Sequence, residues 1–221
     1  MKDELLKRIL SSIILIPLAF FFIMKGSFFF NFFILICFLI TSYEWHILSK
    51  KKNYYLIGYI FLIISFYSVY ALRNYFDGES FAFLLVMLIC IGTDMGGYIF
   101  GKIFKGPKLL KEISPNKTFS GMIGGYILAI VIISIYFNYN YILYPGNAEP
   151  NFNHQIFIEI LLLSTVSQIG DIIISYFKRL SKVKDTGKII PGHGGMLDRI
   201  DGMIFSFPIY YIVDLSGYLN L

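Results

Sequence analysis

The chain has 221 residues, 57% of them hydrophobic and 15% charged, with a mean hydropathy of +0.68 and a formal charge of +5. Soluble globular domains carry about 25% charged and about 45–50% apolar residues, so the composition excludes an ordinary soluble domain and indicates a polytopic membrane protein. Cys37 and Cys90 lie inside apolar runs as small core residues, and the three scattered histidines give no zinc-type spacing.

The charged opening Met1–Arg8 leads into an apolar run from Ile9 to Met24. A cleaved signal would need small residues near its end. Phe20-Phe21-Phe22 stands there instead, so the run reads as a retained first span, with Pro17 tolerated as in other membrane helices. Further spans are expected at about Phe28–His46, Tyr54–Leu72, Phe81–Phe100, Met122–Phe137, Ile156–Phe177 and Met203–Tyr218. Each approaches the roughly 20 residues a helix needs to cross the hydrocarbon. The expectation is an all-α bundle of about seven transmembrane helices, forming a single domain over residues 1–221 without internal repeats.

Seventeen of the nineteen Lys and Arg residues fall in alternate segments: the N-terminus, Lys50–Lys52, the 101–120 loop and the stretch from Lys178 to Arg199. Only Lys25 and Arg73 lie in the others. By the positive-inside rule this predicts a cytoplasmic N-terminus, with both long basic loops facing the compartment that holds nucleotides.

The stretch from Ser175 to Asp201 is the least consistent with packing. It crowds Lys178, Arg179, Lys182, Lys184, Lys188 and Arg199 together with Asp185, Asp198, Asp201 and the turn Pro191-Gly192-His193-Gly194-Gly195. Such residues are costly to bury, and a glycine-rich turn gives up backbone entropy unless a close approach requires it. The stretch reads as a polyanion site: cations and backbone N–H groups hold phosphate, and carboxylates recruit a metal. Asp171, Ser175 and Lys178 share one helical face at i, i+4 and i+7, and Asp198 and Asp201 share another. Asp94 and Asp171 stand within apolar spans, where a carboxylate costs at least about 2.5 kcal/mol and is functional by default.

In the 101–120 loop, Ser114-Pro115-Asn116-Lys117-Thr118 reads as a turn into a helix, with Lys117 and Thr118 placed for phosphate oxygens or for anionic headgroups. Gly97/Gly101 and Gly121/Gly125 are small-xxx-small pairs that mark close helix packing. Glu159 is expected to be solvated near an outer helix end. Glu44, beside an interfacial Trp45, reads either as exposed or as part of the site. There is no G-x-x-x-x-G-K-[ST] loop and no G-x-S-x-G elbow, which excludes a P-loop ATPase and an α/β-hydrolase.

Ser175, Lys178-Arg179, Lys184-Asp185, Pro191 to Gly195 and Asp198-Arg199-Ile200-Asp201 together closely resemble the signature of the phosphatidate cytidylyltransferase family. Thr93-Asp94 with Gly97-Tyr98 and Gly101 resembles a second block of that family, and Ser114 to Thr118 with Gly121 a third. The chain departs at Ile174, where the family commonly has Glu, and at Phe119-Ser120, where it often has Trp-Glu. The resemblance implies transfer of a cytidylyl group from CTP to phosphatidate, with magnesium and room for a second cation. It implies Asp171, Asp198, Asp201 and Lys184 as catalytic residues, the three aspartates as metal ligands. Ser114, Lys117, Thr118, Ser175, Lys178, Arg179, Asp185, His193, Gly194, Gly195 and Arg199 are implied in substrate binding. The expected setting is a bacterial inner membrane with the site facing the cytoplasm; nucleic acid is not an expected partner, and a homodimer is left open. Two other readings stay open on the residues alone: another CTP-dependent lipid enzyme, or an ion-coupled transporter using Asp94 and Asp171.

Overall fold

The computed structural model describes residues 13, 17–23, 25, 27–74, 81–143, 153–190, 192 and 194–216. Of the first expected span, Ile13 and residues 17–23 are described, and all are helical; the rest of that span lies outside the described residues. The helices α1 (Ser27–Ser49), α2 (Tyr55–Asn74) and α3 (Phe81–Phe104) precede a hairpin of β1 (Lys108–Leu110) and β2 (Ser114–Thr118). After it come α4 (Phe119–Leu143), α5 (His154–Leu180), the single turn α6 (Leu197–Ile200) and α7 (Met203–Leu215). Among the described residues, α1 to α5 are long and apolar enough to cross a membrane. The chain is an all-α integral membrane protein.

The helices run a few residues beyond the expected spans because helical hydrogen bonding continues into the polar ends. α3 reaches Phe104 and α5 reaches Leu180. At the end of α5 the Lys182 N–H bonds to Arg179 O and the Val183 N–H to Lys178 O, with Lys182 left-handed at φ 56°. This is a Schellman stop built on a lysine rather than a glycine.

The seventh expected span resolves differently. α7 alone has 13 residues, too few to cross. Asp201 and Gly202 nevertheless keep right-handed helical torsions, so backbone from Leu197 to Leu215 follows one path of about 28 Å at 1.5 Å per residue. The interruption is local: the Gly202 N–H turns to Asp201 Oδ1 at 2.9 Å. Gly202 is required here, since a Cβ would lie 2.3 Å from Ser167 Oγ on α5. Pro208 lacks the N–H that would bond to Ile204 O, and Ser65 of α2 donates its hydroxyl to that carbonyl at 2.7 Å.

Small residues and hydroxyls hold the bundle together, as expected where lipid removes the hydrophobic drive between helices. α3 and α4 cross along a glycine seam. A Cβ at Gly96 would come within 2.2 Å of Gly124 O, and one at Gly121 within 2.7 Å of Gly97 O. The two small-residue pairs in the sequence therefore face each other. Thr93 and Ser164 join α3 to α5 at 2.7 Å, and Tyr126 and Thr165 join α4 to α5 at 2.8 Å. The core contains Leu72, Leu85, Ile89, Ile133, Ile160 and Leu163, all fully buried. Leu35, Leu39, Leu56, Ile57 and Ile123 face outward, as lipid-facing positions do.

Candidate active site

Three linkers meet at one end of the bundle. Ser181 Oγ donates to Leu48 O at 2.6 Å, tying the end of α5 to the end of α1. Arg179 Nε donates to Ile113 O at 3.1 Å, tying α5 to the tip of the hairpin. Lysines 50–52, the hairpin lysines and the 182–188 run thus share one face, which is what the alternating charge distribution requires.

Ser114 to Thr118, expected as a turn, is a strand paired antiparallel with Lys108–Leu110. Pro115 is accommodated because a two-stranded sheet leaves an edge open. The strand points Lys117 across to α5, where its Nζ lies 2.7 Å from Asp171 Oδ2 and 3.3 Å from Gln168 O. Thr118 is buried, and its Oγ1 accepts the Gly121 N–H at 3.1 Å, which caps α4. Its hydroxyl oxygen is thus engaged at the helix end. Ser114 is half-buried at the start of the strand.

The face predicted for α5 is present. Ser175 Oγ donates to Asp171 Oδ1 at 3.2 Å, and Lys178, a turn further on, reaches Asp198 Oδ1 at 2.7 Å. Asp198 Oδ2 accepts the Thr186 N–H (2.8 Å), the Thr186 hydroxyl (3.1 Å) and the Gly195 N–H (3.0 Å). Asp198 is therefore bound by four donors from three segments. Asp201, one turn along, is buried and accepts from Gly202. Burial first, then the charges of Asp171 and Asp94, push its carboxyl well above the usual carboxylate range, with Lys178 pulling it down. Among the described residues no three His, Cys, Asp or Glu side chains converge as a metal-holding group. Asp171, Asp198 and Asp201 are thus not gathered into the three-carboxylate site the sequence suggests; Asp171 and Asp201 sense one another, and Asp198 is engaged by the loop.

The glycine turn also departs from expectation. Gly192 and Gly194 are left-handed, at φ 77° and 89°, and Ile190 N–H bonds to Gly194 O at 3.0 Å to close the turn. The N–H groups of Gly195, Met196 and Leu197 point inward to Asp198 and Glu44 rather than outward to an oxyanion. His193 lies outside the described residues. Lys184, Asp185 and Lys188 are exposed on the loop before the turn. Arg179 is held by Ile113 O and Val183 O, so it ties the hairpin to α5.

The structure decides two further carboxylates. Glu159 is 4% exposed, not solvated, because α5 begins at His154 and carries it more than a turn into the bundle. Glu44, open as exposed or functional, is fully buried; it accepts the Thr186 hydroxyl at 3.0 Å, the Met196 N–H at 2.8 Å and the Leu197 N–H at 2.7 Å. Trp45 is also buried, packed edge-on to Phe177 with ring centroids 5.2 Å apart. Their place at the end of a span beside a polar loop does not distinguish a buried anchor from an interfacial residue.

Beside the polar groups, residues from the 17–23 segment, α1, α2, α3, α6 and α7 line a half-open cavity of about 510 Å³. Its walls include Phe33, Phe66, Val69, Met87 and Phe207, and among the described residues Arg199 is the charged one lining it.

A membrane-embedded bundle that gathers lysines and carboxylates at one end, next to an apolar cavity, is suited to chemistry on anionic groups at a membrane surface. The model of the cytidylyltransferase family matches residues 54–216, and the chain belongs to that family, which makes it a nucleotidyltransferase. It is similar to the phosphatidate cytidylyltransferase of Rickettsia typhi, 34% identical over 97% of this chain and 93% of that protein. The phosphatidate cytidylyltransferase of Rickettsia prowazekii is 35% identical over 78% of this chain and 75% of its own. That of Staphylococcus haemolyticus is 37% identical over 80% and 65%.

Proposed function

We propose that the chain transfers the cytidylyl group of CTP to phosphatidate, giving CDP-diacylglycerol and pyrophosphate, from the cytoplasmic face of a bacterial inner membrane. The observation that carries the lipid half is the apolar cavity with Arg199 in its wall. An acyl chain fits the apolar space, and a guanidinium suits a phosphate at its polar end. The nucleotide half is supported by Lys117 and Lys178, whose ammonium groups lie 2.7 Å from the carboxylates of Asp171 and Asp198 and are suited to triphosphate oxygens.

In the reaction, a phosphate oxygen of the lipid attacks the α-phosphorus of CTP. The new P–O bond forms as the bond to the β-phosphate breaks, and pyrophosphate leaves with the electron pair. Phosphatidate is already anionic at neutral pH, so no strong base is needed. Both reactants are negative, so catalysis consists of screening and in-line positioning. Lys117 and Lys178 supply cations that can pass from their carboxylates to phosphate oxygens, and the exposed Lys184 and Lys188 add to the same field.

Magnesium suits this donor set as a two-carboxylate site, since it usually takes only one or two carboxylates with phosphates and water. The mutual repulsion of the like-charged Asp171 and Asp201 carboxylates is what a divalent cation would relieve. Asp171 and Asp201 would hold it, Asp198 being already bound by four donors. When bound, the ion would neutralise phosphate charge and polarise the α-phosphorus.

Incubating the purified protein in phosphatidate-containing vesicles with CTP labelled at the α-phosphorus tests this reading. The label should enter a lipid product, one pyrophosphate being released per turnover. Label in lipid from CTP labelled at the γ-phosphorus would identify a lipid kinase instead. No transfer of either label, with cation flux across the vesicle, would return the transporter reading.

A further inference from the structure

We propose that Glu44, on the first described membrane-spanning helix, is a positioning residue for the transfer reaction: it clamps both sides of the glycine turn and, through Thr186, sets the orientation of Asp198. The proposal rests on the cytidylyl-transfer reading for its kinetics, but not for the clamp itself.

The two oxygens of Glu44 take three donors from chain more than 140 positions away. Oε1 accepts from Met196 N–H at 2.8 Å; Oε2 accepts from Leu197 N–H at 2.7 Å and the Thr186 hydroxyl at 3.0 Å. The donors flank the turn, Thr186 before it and Met196 and Leu197 after it. The carboxylate therefore fixes the width of the loop as well as the start of α6. Gly187 and Gly195 pack directly against it, and a Cβ on either would come within 2.6 Å of a Glu44 oxygen. Both glycines are small because the carboxylate fills the space beside them.

Thr186 relays this anchor to Asp198. Its single hydroxyl proton is shared between Glu44 Oε2 at 3.0 Å and Asp198 Oδ2 at 3.1 Å, while its N–H donates to the same Asp198 oxygen at 2.8 Å. With Oδ2 held, Asp198 presents Oδ1 to Lys178. The groups Glu44 holds are Thr186 and the backbone N–H groups of Met196 and Leu197, so it acts through the loop. Its helix is itself fixed against the loop's near end by Ser181 on Leu48 O and by Trp45 against Phe177. A buried, fully satisfied network of this kind defines one geometry, and one unpaired member costs far more than its bond is worth.

The test begins on the substrate-free protein by hydrogen exchange. Amides of Met196 and Leu197 should be protected in the wild type and exchange markedly faster in Glu44→Gln, because a carboxamide leaves one of those N–H groups facing an NH₂. In the vesicle assay, per folded molecule, Glu44→Gln should lower kcat by about tenfold or more and shift KM for CTP far less, the pattern of misplaced catalytic groups. Unchanged kcat with reduced thermal stability would overturn the proposal and leave Glu44 a packing residue. Should Glu44→Gln not fold, Thr186→Val decides, since it removes only the relay. A kcat loss that Thr186→Ser largely restores supports the proposal, and an undiminished kcat in Thr186→Val overturns it. A wild type that makes no product refutes the reaction assigned above, while the exchange result still judges the clamp.

Discussion

Lys117 Nζ lies 2.7 Å from Asp171 Oδ2, a pair that joins the β-hairpin to the fifth helix across 54 positions of sequence. Side chains of both are partly exposed, at 23% and 29%, so the pair contributes little to stability and can open to a ligand. Lys117→Met keeps the aliphatic stem and removes the charge. It should raise KM for CTP by about tenfold with little change in thermal stability. Combining it with Asp171→Asn should cost less than the sum of the two single losses if the pair acts as a unit. Unchanged KM for both substrates would return the loop to a headgroup-attracting role.

Asp171 and Asp201 should share the magnesium dependence. Asn at either position should cut turnover by orders of magnitude and raise the magnesium concentration needed for half activity, while the protein still inserts. Asp198→Asn should instead lower turnover without moving that concentration, because its carboxylate is held by protein donors. Magnesium titrations of the three variants separate the assignments, and a shift confined to Asp198→Asn would reverse them.

A pH prediction follows from Asp201. Its carboxyl is raised by burial and by Asp171 and Asp94, so the folded state binds its proton where the unfolded chain has released it. Stability from this group is therefore present at low pH. It is lost as pH rises from the ordinary carboxylate value near ~4 through the raised folded value. Metal-free Asp201→Asn should melt higher than wild type at neutral pH, and the gain should shrink in acid. A thermal scan across pH in chelator checks this; an equal or lower melting point at neutral pH would contradict it.

Neighbouring glycines should behave oppositely. A Cβ at Gly96 would sit 2.2 Å from Gly124 O, whereas one at Gly97 meets Gly121 O at an ordinary 3.7 Å. Gly96→Ala should destabilise the detergent-purified protein by about 1–3 kcal/mol or more through forced separation of α3 and α4, and Gly97→Ala should fold normally. Comparable melting temperatures for the two would mean that the seam is not close-packed.

Orientation can be read by labelling, because Cys37 and Cys90 are both buried. Asp185→Cys should react with an impermeant maleimide from the cytoplasmic side, and His154→Cys, at the opposite end of α5, from the outside. The reverse pattern would place the site away from nucleotide.

Much of this protein is determined by short-range features of its sequence. Apolar runs of membrane length specify helices wherever they stand, since a bilayer leaves backbone groups no other partner. The glycine spacing at 97/101 and 121/125 specifies which helix faces can approach, and the i, i+4, i+7 order of Asp171, Ser175 and Lys178 specifies a shared face before any neighbour is known. What only the tertiary structure decided is which donor each charge meets. Glu44 is a carboxylate at the end of an apolar run, and whether it faces water or three donors depends on a turn some 150 positions later. Ser114 to Thr118 carries turn residues, yet pairing with Lys108–Leu110 makes it a strand that delivers Lys117 to Asp171. Asp198 and Asp201 look alike by helical spacing, but Lys178, Thr186 and the Gly195 N–H capture one and the facing aspartates crowd the other. Local pattern fixes which groups a segment exposes, whereas hydrogen bonding and charge energies depend on distances of a few ångströms that only chain packing supplies.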